Sequence, residues 1–217
     1  MTEKRILVLG ATGRSGQAVL EVLSADSSIT LIAALRKAED ADRLPRFNTQ
    51  IEMRVIDLDQ VSSLEKSLSD MDVIVQAVRL RGEIEEDALI DLDQKLRQAG
   101  NGEVKIVYVG GAGSLKMADG SFFARQPSFP RQTLPRGIAH EKLRQYLESL
   151  PNQTSWAYLI PPAAYIDGGE ATGFYRKYLP SDNEEFFLSK RISYADFGHA
   201  VADAIVEDWT GVHLIGN

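Results

Sequence analysis

Residues 5–16 read R-I-L-V-L-G-A-T-G-R-S-G: a short apolar run ending in Gly10-x-x-Gly13-x-x-Gly16. A helical pattern follows over residues 17–23. The order strand, glycine-rich turn, helix gives each glycine a separate task. Gly10 permits the tight turn. Gly13 lets the backbone approach a pyrophosphate, and Gly16 lets the helix pack close to the strand. The N–H groups at the helix start, with the helix dipole behind them, then face phosphate oxygens. A dinucleotide is the ligand this pattern implies.

Working outward, strand-like and helix-like stretches alternate. Strands are expected at residues 5–9, 30–35, 51–56, 73–78, 104–109 and 156–160. Helices are expected at 16–24, 61–68, 87–98 with Gly100 as C-cap, and 137–150 with Pro151 stopping it. Such alternation implies parallel strands joined by right-handed crossovers. The expected class is α/β, a Rossmann-like doubly wound parallel sheet, whose ligand lies at the carboxyl ends of the strands. Beyond Pro162 the pattern shortens: strand-like pieces at 173–178 and 185–188, a helix at 194–206 capped by Ser193, and a last strand at 213–215. The chain therefore reads as one dinucleotide-binding domain, 1–217, with a small C-terminal substrate-side region around 163–195. Residues 110–136 form the longest irregular stretch, either a lid over the site or an ordered loop packing its own aromatics.

Composition bounds the partners. The 217 residues are 44% hydrophobic, enough for one sizeable core, and carry a net charge of −7 with no long basic run. Nucleic acid and anionic membranes are not expected partners. With no cysteine there is neither a disulfide framework nor thiolate chemistry. The three histidines have no metal-ligand spacing, so no metal site is expected. Residues 6–9 are too short for a signal peptide, and no stretch reaches the length of a membrane span. The expectation is a cytoplasmic protein, compatible with a homodimer, acting on a small planar substrate.

The second strand ends at Leu35, and Arg36 follows, 20 residues after Gly16. NAD-binding versions place Asp or Glu there for the ribose 2′-hydroxyl. Arg36 instead offers a charge-assisted donor fork to a 2′-phosphate, and Arg14 can reach the same side. NADP is expected in preference to NAD.

The G-A-T-G-R-S-G turn, the basic end of the second strand and the Asp57-Leu58 pair after the third resemble the atypical short-chain dehydrogenase/reductases. Y-V-G-G-A-G-S-L at 108–115, W-A-Y-L-I-P-P at 156–162, T-G-F-Y at 172–175 and R-I-S-Y-A-D-F-G-H-A at 191–200 are similar to the NAD(P)H-binding, NmrA-like group within them. That group includes flavin reductase/biliverdin-IXβ reductase and bacterial proteins described as NADH-flavin reductases. The resemblance implies that Gly10, Thr12, Gly13, Arg14, Ser15 and Gly16 would hold the pyrophosphate and the 2′-phosphate side, with Arg36 meeting that phosphate. It places Asp57 and Leu58 beside the adenine, Ala77, Val78 and Arg79 beside the nicotinamide ribose, and Pro161, Pro162 and Ala163 near the nicotinamide.

One departure bears on the reaction. Short-chain dehydrogenases usually carry Tyr-x-x-x-Lys after the fifth strand and a Ser at that strand's end. None of the seven tyrosines here has a lysine four residues on, and Gly110-Gly111 stand where the Ser is expected. The helix over 137–150 offers His140, with Arg144 one turn later on the same face. His140 is the candidate proton donor near neutral pH. Carbonyl reduction needs such an acid, whereas a flavin or quinone spreads the hydride's charge over its rings. The expected activity is an NADP-dependent oxidoreductase that passes hydride to a planar acceptor. Phe122, Phe123, Phe129, Trp156, Tyr165 and Phe174 are candidate walls. The alternative is a noncatalytic NADP-binding redox sensor of the NmrA-like type. An epimerase or dehydratase with tightly held NAD fits less well without the Tyr/Lys pair.

Overall fold

Ile6, Leu7 and Val8 are wholly shielded from solvent, which requires a strand covered on both faces. In the computed structural model, which describes residues 4–47, 49–100, 102–166 and 171–217, this strand, β1 (Lys4–Leu9), lies inside an eight-stranded sheet. To one side lie β2 (Ile29–Leu35) and β3 (Glu52–Val55). To the other lie β4 (Val73–Gln76), β5 (Lys105–Val109), β6 (Trp156–Ile160), β10 (Gly211–Gly216) and β8 (Arg176–Tyr178). All pairings are parallel except β10 with β8. The chain runs outward from β1 to β3 and returns to β4 on the other side of β1. The switch point of this doubly wound sheet is therefore between β1 and β4, beside the glycine turn.

Alternation along β1 divides the core into two layers. Leu7 and Leu9 meet α2 (Val61–Leu68), α3 (Ala88–Ala99) and α4 (Leu134–Ser149) through residues such as Leu64, Leu92 and Leu143. Ile6 and Val8 meet α1 (Arg14–Leu23) and α5 (Tyr194–Val206) through Val19, Leu20, Phe197 and Val201. Helices α1 and α5 approach closely at Gly198, where a Cβ would stand 2.8 Å from the Ala18 carbonyl oxygen. Ser193 caps α5 as expected: its Oγ accepts the Asp196 N–H at 3.0 Å.

The later third of the chain departs from its sequence reading. Residues 185–188 are not a strand: Glu185–Ser189 forms a 3₁₀ turn with Phe187 wholly buried. A strand goes unrecognised at β7 (Ala164–Ile166), which pairs in parallel with β9 (Arg191–Ser193). The strand expected at 213–215 is longer, Gly211–Gly216, and extends the parallel sheet beside β6. Within the region 163–195, residues 167–170 lie outside the described residues. Helix α4 starts at Leu134, earlier than expected, because Pro135 fits its first turn, where no backbone donor is needed. Residues 110–136 are ordered by 3₁₀ turns at Ala112–Ser114, Phe123–Arg125 and Arg131–Thr133 and by a bridge between Lys116 and Phe122. Phe123 and Phe129 pack edge to face at 5.1 Å, so this stretch is a loop that buries its own aromatics. Among the described residues, no helix is long and apolar enough to cross a membrane, and no group of three or more His, Asp or Glu could hold a metal ion.

Candidate functional site

The glycine turn is built as its spacing predicts. Gly10 has φ +76°, and a Cβ there would stand 2.4 Å from the Ala77 carbonyl oxygen. A Cβ on Gly16 would meet the Gly10 carbonyl oxygen at 2.3 Å. These two glycines are required by the protein's own packing. Gly13 is different: its Cβ would have one close neighbour, the Gly10 carbonyl oxygen at 3.2 Å. Gly13 is the N-cap of α1, and no side chain caps that helix. Open space above an uncapped helix start is the shape a phosphate needs. The residues present fit a dinucleotide on this observation.

Beside the turn, where β4, β5 and β6 end, lies a cavity of about 290 Å³. Of the residues expected at the cofactor, it brings together Ser15, Ala77, Val78, Arg79, Pro161, Pro162 and Ala163, with His140 on the same wall. Gly10, Thr12, Gly13, Arg14 and Gly16 form the adjoining turn. Arg36, Asp57 and Leu58 lie away from this cavity, at the ends of β2 and β3. Arg36 is exposed and has no hydrogen bond or ion pair among the described residues. The Asp57 carboxylate accepts the Asp59 N–H at 2.9 Å and Gln60 Nε2 at 2.9 Å, so it also closes the turn into α2.

Of the expected walls, Phe123, Phe129 and Tyr165 line the cavity. Phe122, Trp156 and Phe174 do not. Phe174 is 56% exposed, and Trp156 packs on the core side of the sheet. Tyr194, read from sequence only as a helix start, is a wall residue. Its ring stacks on Tyr165 with centroids 3.8 Å apart. The Tyr165 hydroxyl bonds Ser15 Oγ at 3.0 Å, joining the cavity wall to the glycine turn. Burial raises the Tyr165 phenol well above its ordinary value.

His140 differs from its expected role. Its pKa is lowered to about 4, first by loss of water around the ring and then by the Arg136 charge. The ring is neutral at pH 7, so it is not a cationic acid there. Ser114 Oγ donates to the Gly111 carbonyl oxygen at 2.7 Å. When the Tyr158 hydroxyl donates to Ser114 Oγ at 3.2 Å or to the His140 carbonyl oxygen at 3.3 Å, its oxygen accepts from His140 Nδ1 at 3.1 Å. In that arrangement Nε2 is the unprotonated nitrogen, an acceptor. Tyr158 is itself held protonated, with its pKa pushed by burial up to about 12.

The glycine pair after β5 makes room for this chain of bonds. A Cβ on Gly110 would lie 2.9 Å from the Tyr158 ring, and one on Gly111 would lie 2.7 Å from the His140 ring. The Leu159 carbonyl oxygen would stand closer still to a Gly110 Cβ, at 2.7 Å, so the position where a dehydrogenase serine is expected is closed by that backbone and by the two rings. Arg144, expected beside His140, is instead fully buried against Glu184 and belongs to the scaffold.

A family model described as NAD(P)H-binding matches residues 10–208. The uncharacterized protein YwnB of Bacillus subtilis (strain 168) is 25% identical over 210 residues, covering 93% of this chain and 92% of its own. A candidate NADH-flavin reductase from Streptococcus pneumoniae TIGR4 superposes with a TM-score of 0.77 at 20% identity, over 99% of both chains. A candidate epimerase from Bacteroides thetaiotaomicron superposes at 0.78 and 21% identity, over 98% of this chain and 96% of its own. At these identities the structural likenesses establish the Rossmann-type fold.

Proposed function

Because the chain belongs to the NAD(P)H-binding family, we propose that it is an NADP-dependent oxidoreductase passing hydride to a planar acceptor such as a flavin or quinone. The observation that carries this reading is the cavity beside the glycine turn. Its walls include two aromatic pairs, Tyr165–Tyr194 and Phe123–Phe129, and neither His140 nor Tyr165 is a ready proton donor at neutral pH. When bound, a nicotinamide dinucleotide supplies the hydride. The chain's residues bind, orient and exclude water. The glycine turn would take the pyrophosphate, residues 77–79 and 161–163 would flank the nicotinamide end, and the stacked tyrosines would hold a flat ring against it. Tyr165 is a poor proton donor, because burial raises its phenol, the reverse of what a neighbouring lysine does. His140 is neutral at pH 7 and is not a cationic acid there. A carbonyl would develop an alkoxide that neither His140 nor Tyr165 is poised to protonate. A flavin or quinone delocalises that charge and takes its proton from water. The Streptococcus pneumoniae protein's name points to the same reaction class.

Steady-state NADPH oxidation with FMN, naphthoquinones and small aldehydes tests the proposal. Turnover on the flat acceptors and none on aldehydes is expected. Tight NADPH binding with no turnover on any acceptor would favour the redox-sensor reading instead.

Two variants refine it. His140→Ala is expected to lower turnover on FMN or a naphthoquinone only a fewfold, since no positioned acid is lost; such an acid is usually worth about 10²–10⁴-fold. The wild-type rate should show no inflection near pH 6.5, because His140 stays neutral down to about 4. Aldehyde reduction that collapses in the variant would make His140 the acid of a carbonyl reductase. Arg36→Asp should weaken NADPH by about ten- to a hundredfold relative to NADH, the worth of one charge-assisted contact. Equal weakening of both nucleotides would remove Arg36 from the 2′-phosphate.

A further inference from the structure

The chain carries 31 acidic and 24 basic side chains, yet the cavity lining contains two arginines, Arg79 and Arg136, and no carboxylate. Arg79 stands on the loop after β4, and Arg136 on the first turns of α4, four residues before His140. Arg81 lies close enough for its charge, with that of Arg79, to act on Arg136. None of the three has a hydrogen bond or ion pair among the described residues. Among the described residues Arg36, Arg46, Arg131, Arg176 and Arg191 also lack an ion pair, but all five are exposed, whereas Arg136 is half-buried in the cavity wall. Arg5, Arg43, Arg54, Arg97, Arg125 and Arg144 each pair with a carboxylate. Acids are also at hand: residues 83–87 include four, but Glu86 and Asp87 turn to Lys142 at 2.9 and 3.2 Å. Like charges gathered without a counterion repel one another. Burial and the Arg79 and Arg81 charges together make the Arg136 charge harder to hold. An anion entering the cavity would relieve that repulsion.

We propose that the acceptor is an anion: a flat ring system bearing a sulfonate, carboxylate or phosphate, whose charged group is held between Arg79 and Arg136 while the ring lies against the aromatic walls. This deepens the planar-acceptor reading and rests on it for the ring, though not for the charge. Guanidinium groups suit the role, since each presents a planar donor fork to an oxyanion. The dinucleotide's own phosphates are a poorer match for Arg136, which sits on α4 across the cavity from the glycine turn.

The test uses the full chain with saturating NADP⁺, so that nothing is reduced, and two naphthoquinones of similar size: the 2-sulfonate and the 2-methyl compound. Binding is followed by calorimetry. The sulfonate is expected to bind wild type at least about tenfold more tightly than the methyl compound. Arg136→Gln should weaken the sulfonate by about ten- to a hundredfold, leaving the methyl compound and NADPH unchanged, and Arg136→Lys should recover much of the loss. Equal binding of the two quinones, binding of neither, or an equal loss of NADPH affinity in Arg136→Gln would overturn the proposal. If the sulfonate is preferred through Arg136 but NADPH reduces neither quinone, anion recognition stands and the reductase reading falls.

Discussion

Gly13→Val should abolish NADPH binding while leaving the protein folded. Gly10 and Gly16 cannot separate these two outcomes. A Cβ at either would meet backbone at 2.4 or 2.3 Å, so substitution there damages the fold directly. At Gly13 the nearest atom to an added Cβ is the Gly10 carbonyl oxygen at 3.2 Å, and the backbone, with φ −84° and ψ 163°, is open to any residue. A valine therefore fits the fold with a small local adjustment. What it fills is the space over the start of α1, where pyrophosphate oxygens would meet the helix N–H groups. Losing two charge-assisted contacts of about 1.5–3 kcal/mol each corresponds to about 10²–10⁴ in affinity. Thermal melts read both halves. The variant without ligand should melt close to wild type, and the shift that NADPH gives the wild type should vanish. An undiminished shift would move the phosphates away from this turn.

The turn could be anticipated because its physics is local. A buried strand, a positive-φ glycine and a close helix all fall within twelve residues, and each leaves a residue type behind. The rest of the cavity is assembled across the sheet, and sequence spacing does not reveal such contacts. His140 is a candidate from sequence, but its protonation is set by burial and by Arg136, and its Nδ1 is engaged by Tyr158 on another strand. Tyr158 looks like one more core residue in W-A-Y-L-I. The available signal is Gly110-Gly111, a pair with negative φ that leaves room for the Leu159 backbone and for the Tyr158 and His140 rings. Tyr194 and Tyr165 stack only because α5 and β7 meet there, and β7, three residues long after Pro161-Pro162, gives too short a pattern to recognise. The E-F-F-L run at 185–188 misleads for the same reason. Four residues cannot separate a strand from a turn, and burial of Phe187 with exposure of Phe186 suits either.

Breaking the Arg144–Glu184 pair is expected to have the largest effect on stability. Both side chains have no exposure, and they meet through two bonds, at 2.7 and 2.9 Å. Arg144 also donates to the Ser114 carbonyl oxygen at 2.7 Å, and Glu184 accepts the Lys116 N–H at 2.8 Å. The pair thus ties α4 to the 3₁₀ turn at Glu185–Ser189 and to the loop after β5. Glu184→Leu would leave the buried guanidinium with one carboxylate partner, the partly exposed Glu148, which Nε meets at 3.0 Å, an effect toward the lower end of about 3–5 kcal/mol. That is a large share of the roughly 5–15 kcal/mol that holds a typical domain folded. Replacing both, as Arg144→Met with Glu184→Leu, removes the stranded charge and should recover part of the loss. Urea unfolding of the two single variants and the double variant measures this. The double should be more stable than the Glu184→Leu single. Ser114 belongs to the hydrogen-bonded chain that reaches His140 through Tyr158, so the single variant should also loosen the cavity wall and weaken acceptor binding in the population still folded. A Glu184→Leu loss below about 1 kcal/mol, the range of exposed pairs, would show that this ion pair is solvated in solution and does not anchor the loop.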